Sequence, residues 1–174
     1  MHRVASLSYT LLMTYSQKWS LVSFIEPVDV GTEFYWKDWP LHVTLASVFA
    51  IEWEDDLVNE LQETISSHAP LLVTATEKAY WGENKEYHCM LLERCTELMN
   101  LHMKIHNLLL QYGAVFNEPE HHGEGYIPHS TIEKNTRLHI GDQVVLNSLS
   151  IVDMFPNHDH EQRRVTQIFT FDGE

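Results

Sequence analysis

Two short segments of the chain combine the residue types that chemistry at a phosphodiester requires. Residues 42–45 read His-Val-Thr-Leu and residues 129–132 read His-Ser-Thr-Ile, so both have the pattern His-x-Thr-aliphatic. Both segments are typical of strands, in which side chains two positions apart point to the same face. One imidazole can then accept a proton from an attacking oxygen while the other donates a proton to the leaving oxygen. The threonine hydroxyls can donate hydrogen bonds to the non-bridging oxygens, where charge concentrates.

The duplicated pattern resembles the signature of the two-histidine (2H) phosphoesterase superfamily, which includes the 2′-5′ RNA ligase-like proteins and the cyclic nucleotide phosphodiesterases. The resemblance implies a phosphodiesterase that needs no metal and no cofactor and acts on 2′,3′-cyclic phosphate or 2′-5′ phosphodiester bonds. His42 and His129 would bracket the phosphorus as general base and general acid, and Thr44 and Thr131 would bind its non-bridging oxygens. Which histidine is the acid stays open, and ligase activity in the reverse direction is compatible with this family.

The resemblance also implies an α+β fold, with two pseudo-symmetric lobes of mostly antiparallel sheet and flanking helices around a central cleft. We expect one domain over residues 1–174, with one motif in each half. The hydrophobic pattern agrees with this expectation, because strand groups alternate with two amphipathic segments. It predicts helices over 55–68 and 94–112, and strands over 6–14, 20–25, 41–51, 71–80, 86–92, 144–154 and 165–171.

The charge balance limits the partners of the protein. The chain has 11 basic and 25 acidic residues, which give a formal net charge of −14. A grip on a long nucleic acid duplex needs many lysine and arginine contacts to phosphates, and this chain lacks them. We therefore expect a small nucleotide or an oligonucleotide end as substrate. Lys134, which closely follows the second motif, is a candidate contact to that substrate.

Other features of the sequence suggest a cytoplasmic protein. Cys89 and Cys95 are the only cysteines, and their spacing matches neither a redox motif nor half of a zinc ribbon. No stretch approaches the roughly 20 apolar residues that a membrane span needs. We expect reduced thiols, no membrane partner and a monomer.

Aromatic residues close to the motifs are candidates for stacking on a nucleobase. Tyr35, Trp36 and Trp39 precede the first motif, and Tyr126 lies three residues before His129. Stacking is worth about 1–3 kcal/mol per base, which is enough to orient a nucleotide. The competing interpretation is that these side chains pack at the interface between the lobes. Simple strand alternation does not place Tyr126 on the same face as His129, so alignment would need a bulge at the intervening proline.

Two other functions compete with the phosphodiesterase hypothesis. The first is a metal-dependent hydrolase that uses the loop with His121, His122 and Glu124. Adjacent histidines in a glycine-rich loop do not enforce convergent metal ligation, and a chelator would separate this function from the two-histidine one. The second is a nucleotide-binding or phosphate-binding module without turnover. The intact histidines in both motifs argue against it, because phosphate binding does not require a proton donor and a proton acceptor.

Overall fold

The computed structural model of the protein describes residues 17–132 and 137–173. The predicted strand over residues 6–14 and the candidate residue Lys134 lie outside this part of the chain. The helices are α1 (Asp55–Ser66) and α2 (Thr96–Gln111). The strands are β1 (Trp19–Phe24), β2 (Glu33–Tyr35), β3 (His42–Ala50), β4 (Leu71–Trp81), β5 (Tyr87–Leu92), β6 (Val115–Phe116), β7 (His129–Thr131), β8 (Gln143–Leu146), β9 (Ser148–Asp153) and β10 (Gln162–Thr170).

The strands form two sheets, and each sheet contains one of the two motifs. The first has six strands in the order β2-β10-β9-β1-β3-β6, and the second has four in the order β7-β5-β4-β8. Neighbouring strands pair antiparallel in both sheets. The predicted α+β fold with mostly antiparallel sheet is therefore confirmed. The first motif lies at the start of β3 and the second lies in β7.

The two helices cover the core with the apolar stripes that the sequence predicts. In α1, the residues that recur every four positions are all fully buried, namely Leu57, Leu61 and Ile65. The main core also includes side chains from both sheets, among them Val43 and Leu45 of β3. Because side chains alternate along a strand, burying these two in the core turns the histidine and the threonine of the motif to the opposite face.

One predicted strand is wrong as a single element. The apolar run over residues 144–154 divides at Asn147 into β8, which pairs with β4, and β9, which pairs with β1 and β10. The chain thus passes from one sheet to the other within a single residue, and nothing in the local hydrophobic pattern marks the break. The sequence also did not predict β2 and β6, which have only three and two residues. Within the described residues, neither helix has the length and apolar character needed to span a membrane.

Candidate active site

The two motif strands contact each other although they belong to different sheets. At this junction lies a cavity of about 790 Å³. Thr44 lines it from β3, and His129 and Thr131 line it from β7. His42 is only 8% exposed and does not line this cavity, but it lies two residues before Thr44 on the same face of β3. The fold therefore brings the predicted residues of both motifs to one region of the molecule.

Both motif histidines are anchored in the same way. The Nδ1 atom of His42 lies 2.8 Å from the carbonyl oxygen of Pro40, and Nδ1 of His129 lies 2.8 Å from that of Ile127. A carbonyl oxygen can only accept, so each Nδ1 carries the hydrogen and donates it. The Nε2 atom of each ring is then the nitrogen that can exchange a proton. It accepts a proton when the ring is neutral and donates one when the ring is charged.

A tryptophan also packs against each of these imidazoles. The ring centroids are 4.5 Å apart for Trp39 and His42, and also 4.5 Å apart for Trp81 and His129. The first pair is tilted by 32° and the second is close to perpendicular, at 76°. The ring centroid of Phe24 also lies 6.0 Å from that of His42. These aromatic rings restrict the orientation of both imidazoles, and those around His42 contribute to its burial.

Burial makes both histidines poor proton binders in the free protein. It lowers the pKa of His42 to about 4, against the opposing effect of its hydrogen bond to Pro40. A positive charge on His129 lowers the pKa of His42 further, so the two rings are close enough to interact electrostatically. Burial also lowers the pKa of His129, and a charge on His121 adds to this effect. Both rings are therefore mainly neutral at pH 7 in the unliganded protein.

Of the four aromatic residues predicted to stack on a nucleobase, one lines the cavity and three do not. Tyr126 lines it, but this residue is only 5% exposed, and its hydroxyl donates a 2.8 Å hydrogen bond to the carbonyl of Thr44. Tyr35 and Trp36 lie at and just beyond β2, at the edge of the six-stranded sheet, and do not line the cavity. Trp39 does not line it either and packs between His42 and Phe34.

Sequence reasoning missed the aromatic residues of the β4–β5 hairpin. Trp81 and Tyr87 are directly paired across the two strands and both line the cavity. Two residues further along β5, Cys89 pairs with Thr131, so these side chains share a face with the second motif. The signal in the sequence was the aromatic residues on both sides of Gly82, which lies in the turn between β4 and β5. Only the strand pairing places them next to His129.

The histidine-rich loop does not assemble a metal site. His121 and Glu124 are exposed, whereas His122 is buried with its Nε2 atom 3.0 Å from the hydroxyl of Ser47. Across residues 17–132 and 137–173, no group of three or more His, Cys, Asp or Glu side chains is arranged to hold a metal ion. The alternative of a metal-dependent hydrolase therefore finds no ligand set in the described part of the loop.

Comparison with solved structures shows which proteins share this fold. A structure described as a phosphoesterase has a TM-score of 0.57 and 12% identity, covering 89% of this chain and 98% of the other. Protein TT0787 of Thermus thermophilus has a TM-score of 0.56 and 15% identity, covering 90% and 99%. LigT of E. coli, solved with 3′-AMP, has a TM-score of 0.54 and 11% identity, also covering 90% and 99%. At these identities, the similarity shows a common fold.

The search of curated proteins found no match. The family assignment comes from a family model that matches the sequence. The profile of the 2′-5′ RNA ligase superfamily matches residues 31–147, which include both His-x-Thr motifs and the hairpin and helices between them. The chain therefore belongs to the 2′-5′ RNA ligase superfamily, the two-histidine phosphoesterases that its duplicated motif resembles.

Proposed function

We propose that the protein is a metal-independent phosphodiesterase that hydrolyses 2′,3′-cyclic phosphate or 2′-5′ phosphodiester bonds in nucleotides or oligonucleotide ends. The observation that carries the proposal is the matched pair of imidazoles. Each donates through Nδ1 to a backbone carbonyl and keeps Nε2 for a proton transfer, and each precedes a threonine whose side chain lines the cavity. A module that only bound phosphate would not need two such proton carriers.

We assign His42 as the general base and His129 as the general acid. Burial lowers the pKa of His42 to about 4, and burial also lowers the pKa of His129. His42 is only 8% exposed and is therefore neutral and able to accept a proton, whereas His129 is half-buried and lines the cavity, where solvent stabilises its charged form better. In hydrolysis of a cyclic phosphate, water forms a new bond to phosphorus and gives its proton to Nε2 of His42. The bond from phosphorus to the ribose oxygen breaks, and Nε2 of His129 protonates that oxygen.

The two threonines complete the reaction site. A hydroxyl can donate a hydrogen bond to a non-bridging oxygen, and that bond strengthens as negative charge builds up in the transition state. Thr44 and Thr131 line the same cavity from opposite strands. They are therefore suited to hold the phosphorus between the two imidazoles. The chemistry needs no metal ion, because both proton transfers are assigned to side chains.

Three observations support a nucleotide as substrate. E. coli LigT, which shares the fold, has been solved with 3′-AMP, with NADP⁺ and with ATP, and all three ligands contain adenosine and phosphate. The net charge of −14 disfavours long polyanions, which leaves small nucleotides and oligonucleotide ends. The aromatic side chains of Trp81 and Tyr87 at the cavity can accept a base face.

The test is a panel of nucleoside 2′,3′-cyclic phosphates and 2′-5′-linked dinucleotides, each assayed with and without EDTA. We expect turnover that survives EDTA and is lost in His42→Ala and in His129→Ala. Binding without turnover of any member would replace the proposal with the nucleotide-binding module. Activity that disappears with EDTA and returns with added zinc or manganese would replace it with a metal-dependent hydrolase.

A further inference from the structure

We propose that His102 and Tyr126 are positioning residues that set the location of the second motif relative to the first. Together they form a brace between β3 and the loop of residues 117–128, which leads directly into β7. This inference rests on the proposed function, because it concerns the spacing of the two reacting histidines. Neither residue is placed to contact the reacting atoms through a hydrogen-bonding group, since those groups are engaged within the protein.

The first link of the brace runs through Tyr126. Its hydroxyl donates a 2.8 Å hydrogen bond to the carbonyl of Thr44, in the first motif. The next residue, Ile127, provides the carbonyl that accepts the hydrogen bond from Nδ1 of His129, in the second motif. One short path of hydrogen bonds and backbone thus connects Thr44 to the imidazole of His129. A movement of Tyr126 would move the anchor of that imidazole.

The second link runs through His102 of α2, which is fully buried. Its Nδ1 atom lies 2.8 Å from the carbonyl oxygen of Leu45, the residue after Thr44. Its Nε2 atom accepts a 2.9 Å hydrogen bond from the backbone N–H of Gly123. The helix therefore ties the first motif to the loop that precedes the second motif.

The two links act as one unit because the rings stack. The centroids of His102 and Tyr126 are 3.8 Å apart, and the ring planes differ by only 9°. A shift of either ring would displace the other and with it both sets of hydrogen bonds. Further contacts along the same strand, from Ser47 to His122 and from Val48 to Asn117, hold the start of the loop against β3.

The chemistry of His102 excludes a role in proton transfer. The carbonyl of Leu45 can only accept and the N–H of Gly123 can only donate, so Nδ1 carries the hydrogen and Nε2 carries none. Both ring nitrogens are occupied in this neutral form, and none remains for a substrate. The ring instead provides a donor and an acceptor at fixed separation, which suits a spacer between two backbone segments.

The first experiment compares three brace variants with one control variant. The brace variants are Tyr126→Phe, His102→Phe and the double variant that combines these two substitutions, and the control is Ile105→Val. Phenylalanine keeps an aromatic ring for stacking but removes the hydrogen bonds. Ile105 is fully buried on the same helix and takes no part in the brace, so its valine variant is the matched control for a loss of stability. All four proteins are compared with the wild type in Tm, kcat and KM, at a temperature where each is folded by circular dichroism.

We expect kcat for the cyclic diester to fall about 10–100-fold in each brace variant, because small displacements of catalytic groups have effects of this size. KM should change much less, and Ile105→Val should keep its kcat. The double variant should lose far less than the product of the single losses, because both residues hold the same loop. Losses no larger than in Ile105→Val, or losses that multiply in the double variant, would overturn the brace.

A second readout does not depend on catalysis, so that failure of the brace and failure of the proposed function are distinguishable. Long-range ¹H–¹⁵N spectra report the tautomer of each histidine in the unliganded protein. We expect His129 to be a fixed Nδ1–H tautomer in the wild type and in Ile105→Val, and a mixture of tautomers in Tyr126→Phe. If the wild type hydrolyses no diester but shows this difference, only the proposed function fails. An unchanged His129 tautomer in Tyr126→Phe would overturn the brace even if the enzyme is active.

Discussion

Acid should unfold this protein through its buried histidines. His42, His102 and His122 are 8%, 0% and 6% exposed, and burial lowers their pKa values to about 4, about 4 and about 3. In the unfolded chain, each titrates near the ordinary histidine value of about 6.5. Below that pH the unfolded state binds protons that the folded state does not, so the free energy of unfolding falls as the pH falls. The fall ends only once the folded-state pKa values have been passed.

The size of the effect follows from the shifts. One unit of pKa corresponds to about 1.4 kcal/mol, so protonation of all three imidazoles would cost on the order of 10 kcal/mol. This is comparable with the whole unfolding free energy of a typical domain, about 5–15 kcal/mol. Between about pH 6 and pH 4.5, the slope should approach roughly 4 kcal/mol per pH unit, because each histidine contributes up to about 1.4 kcal/mol.

Urea unfolding followed by far-ultraviolet circular dichroism, in steps from about pH 7.5 to pH 4.5, measures this slope. The variant His102→Phe has one buried imidazole fewer, so its slope should be lower by about 1.4 kcal/mol per pH unit. Acidification also reduces the net negative charge and its self-repulsion, but it does so equally in both proteins. A free energy of unfolding that stays flat down to pH 5, or the same slope in both proteins, would refute the reasoning.

Three further predictions concern catalysis. The pH profile of kcat/KM should have its maximum on the acid side of neutrality. The rate should rise as His42 loses its proton near pH 4 and fall as His129, whose pKa is also lowered, loses its proton. A maximum above neutrality would contradict the assignment of base and acid. Replacing either His42 or His129 by alanine should lower kcat/KM by about 10²–10⁴-fold. The double variant should lose far less than the product of the two single losses, because the two groups act as a unit. Near-full activity in either single variant would contradict the assignment of the two histidines as a pair. Thr44→Val and Thr131→Val should keep the strand shape but weaken binding of inorganic phosphate by about 1.5–3 kcal/mol, with both limbs of the pH profile retained; unchanged affinity and rate would remove the threonines from the site.

Local patterns in the sequence were sufficient to predict much of the fold. The four-residue repeat of Leu57, Leu61 and Ile65 predicts α1 because a single helix face must be buried. The alternation within residues 42–45 likewise predicts which side chains of β3 turn away from the core. The passage from β8 to β9 at Asn147 was not predictable in this way. It depends on which distant strands accept the hydrogen bonds of each half, and an apolar run carries no information about its partners.

In the candidate site as well, local features were predictable from the sequence, whereas contacts between distant segments were not. The motif residues were visible because each motif is short and repeated. The anchor of each imidazole is also local, since the accepting carbonyl lies two residues earlier. The ring that packs on His129 belongs to Trp81, which is distant along the chain and reaches it only through the pairing of β4, β5 and β7. The stack of Tyr126 on His102 likewise depends on how α2 packs against β3.

The two halves of the site are alike in plan but differ in environment. Each imidazole has the same Nδ1 anchor and a tryptophan at the same centroid distance. His42 is nevertheless buried beneath Phe24 and Trp39, whereas His129 is partly exposed and lines the cavity. Equal anchoring in unequal surroundings must give the rings different proton affinities, because burial disfavours the charged form. A duplicated motif can therefore supply one base and one acid although the two sequences are nearly the same.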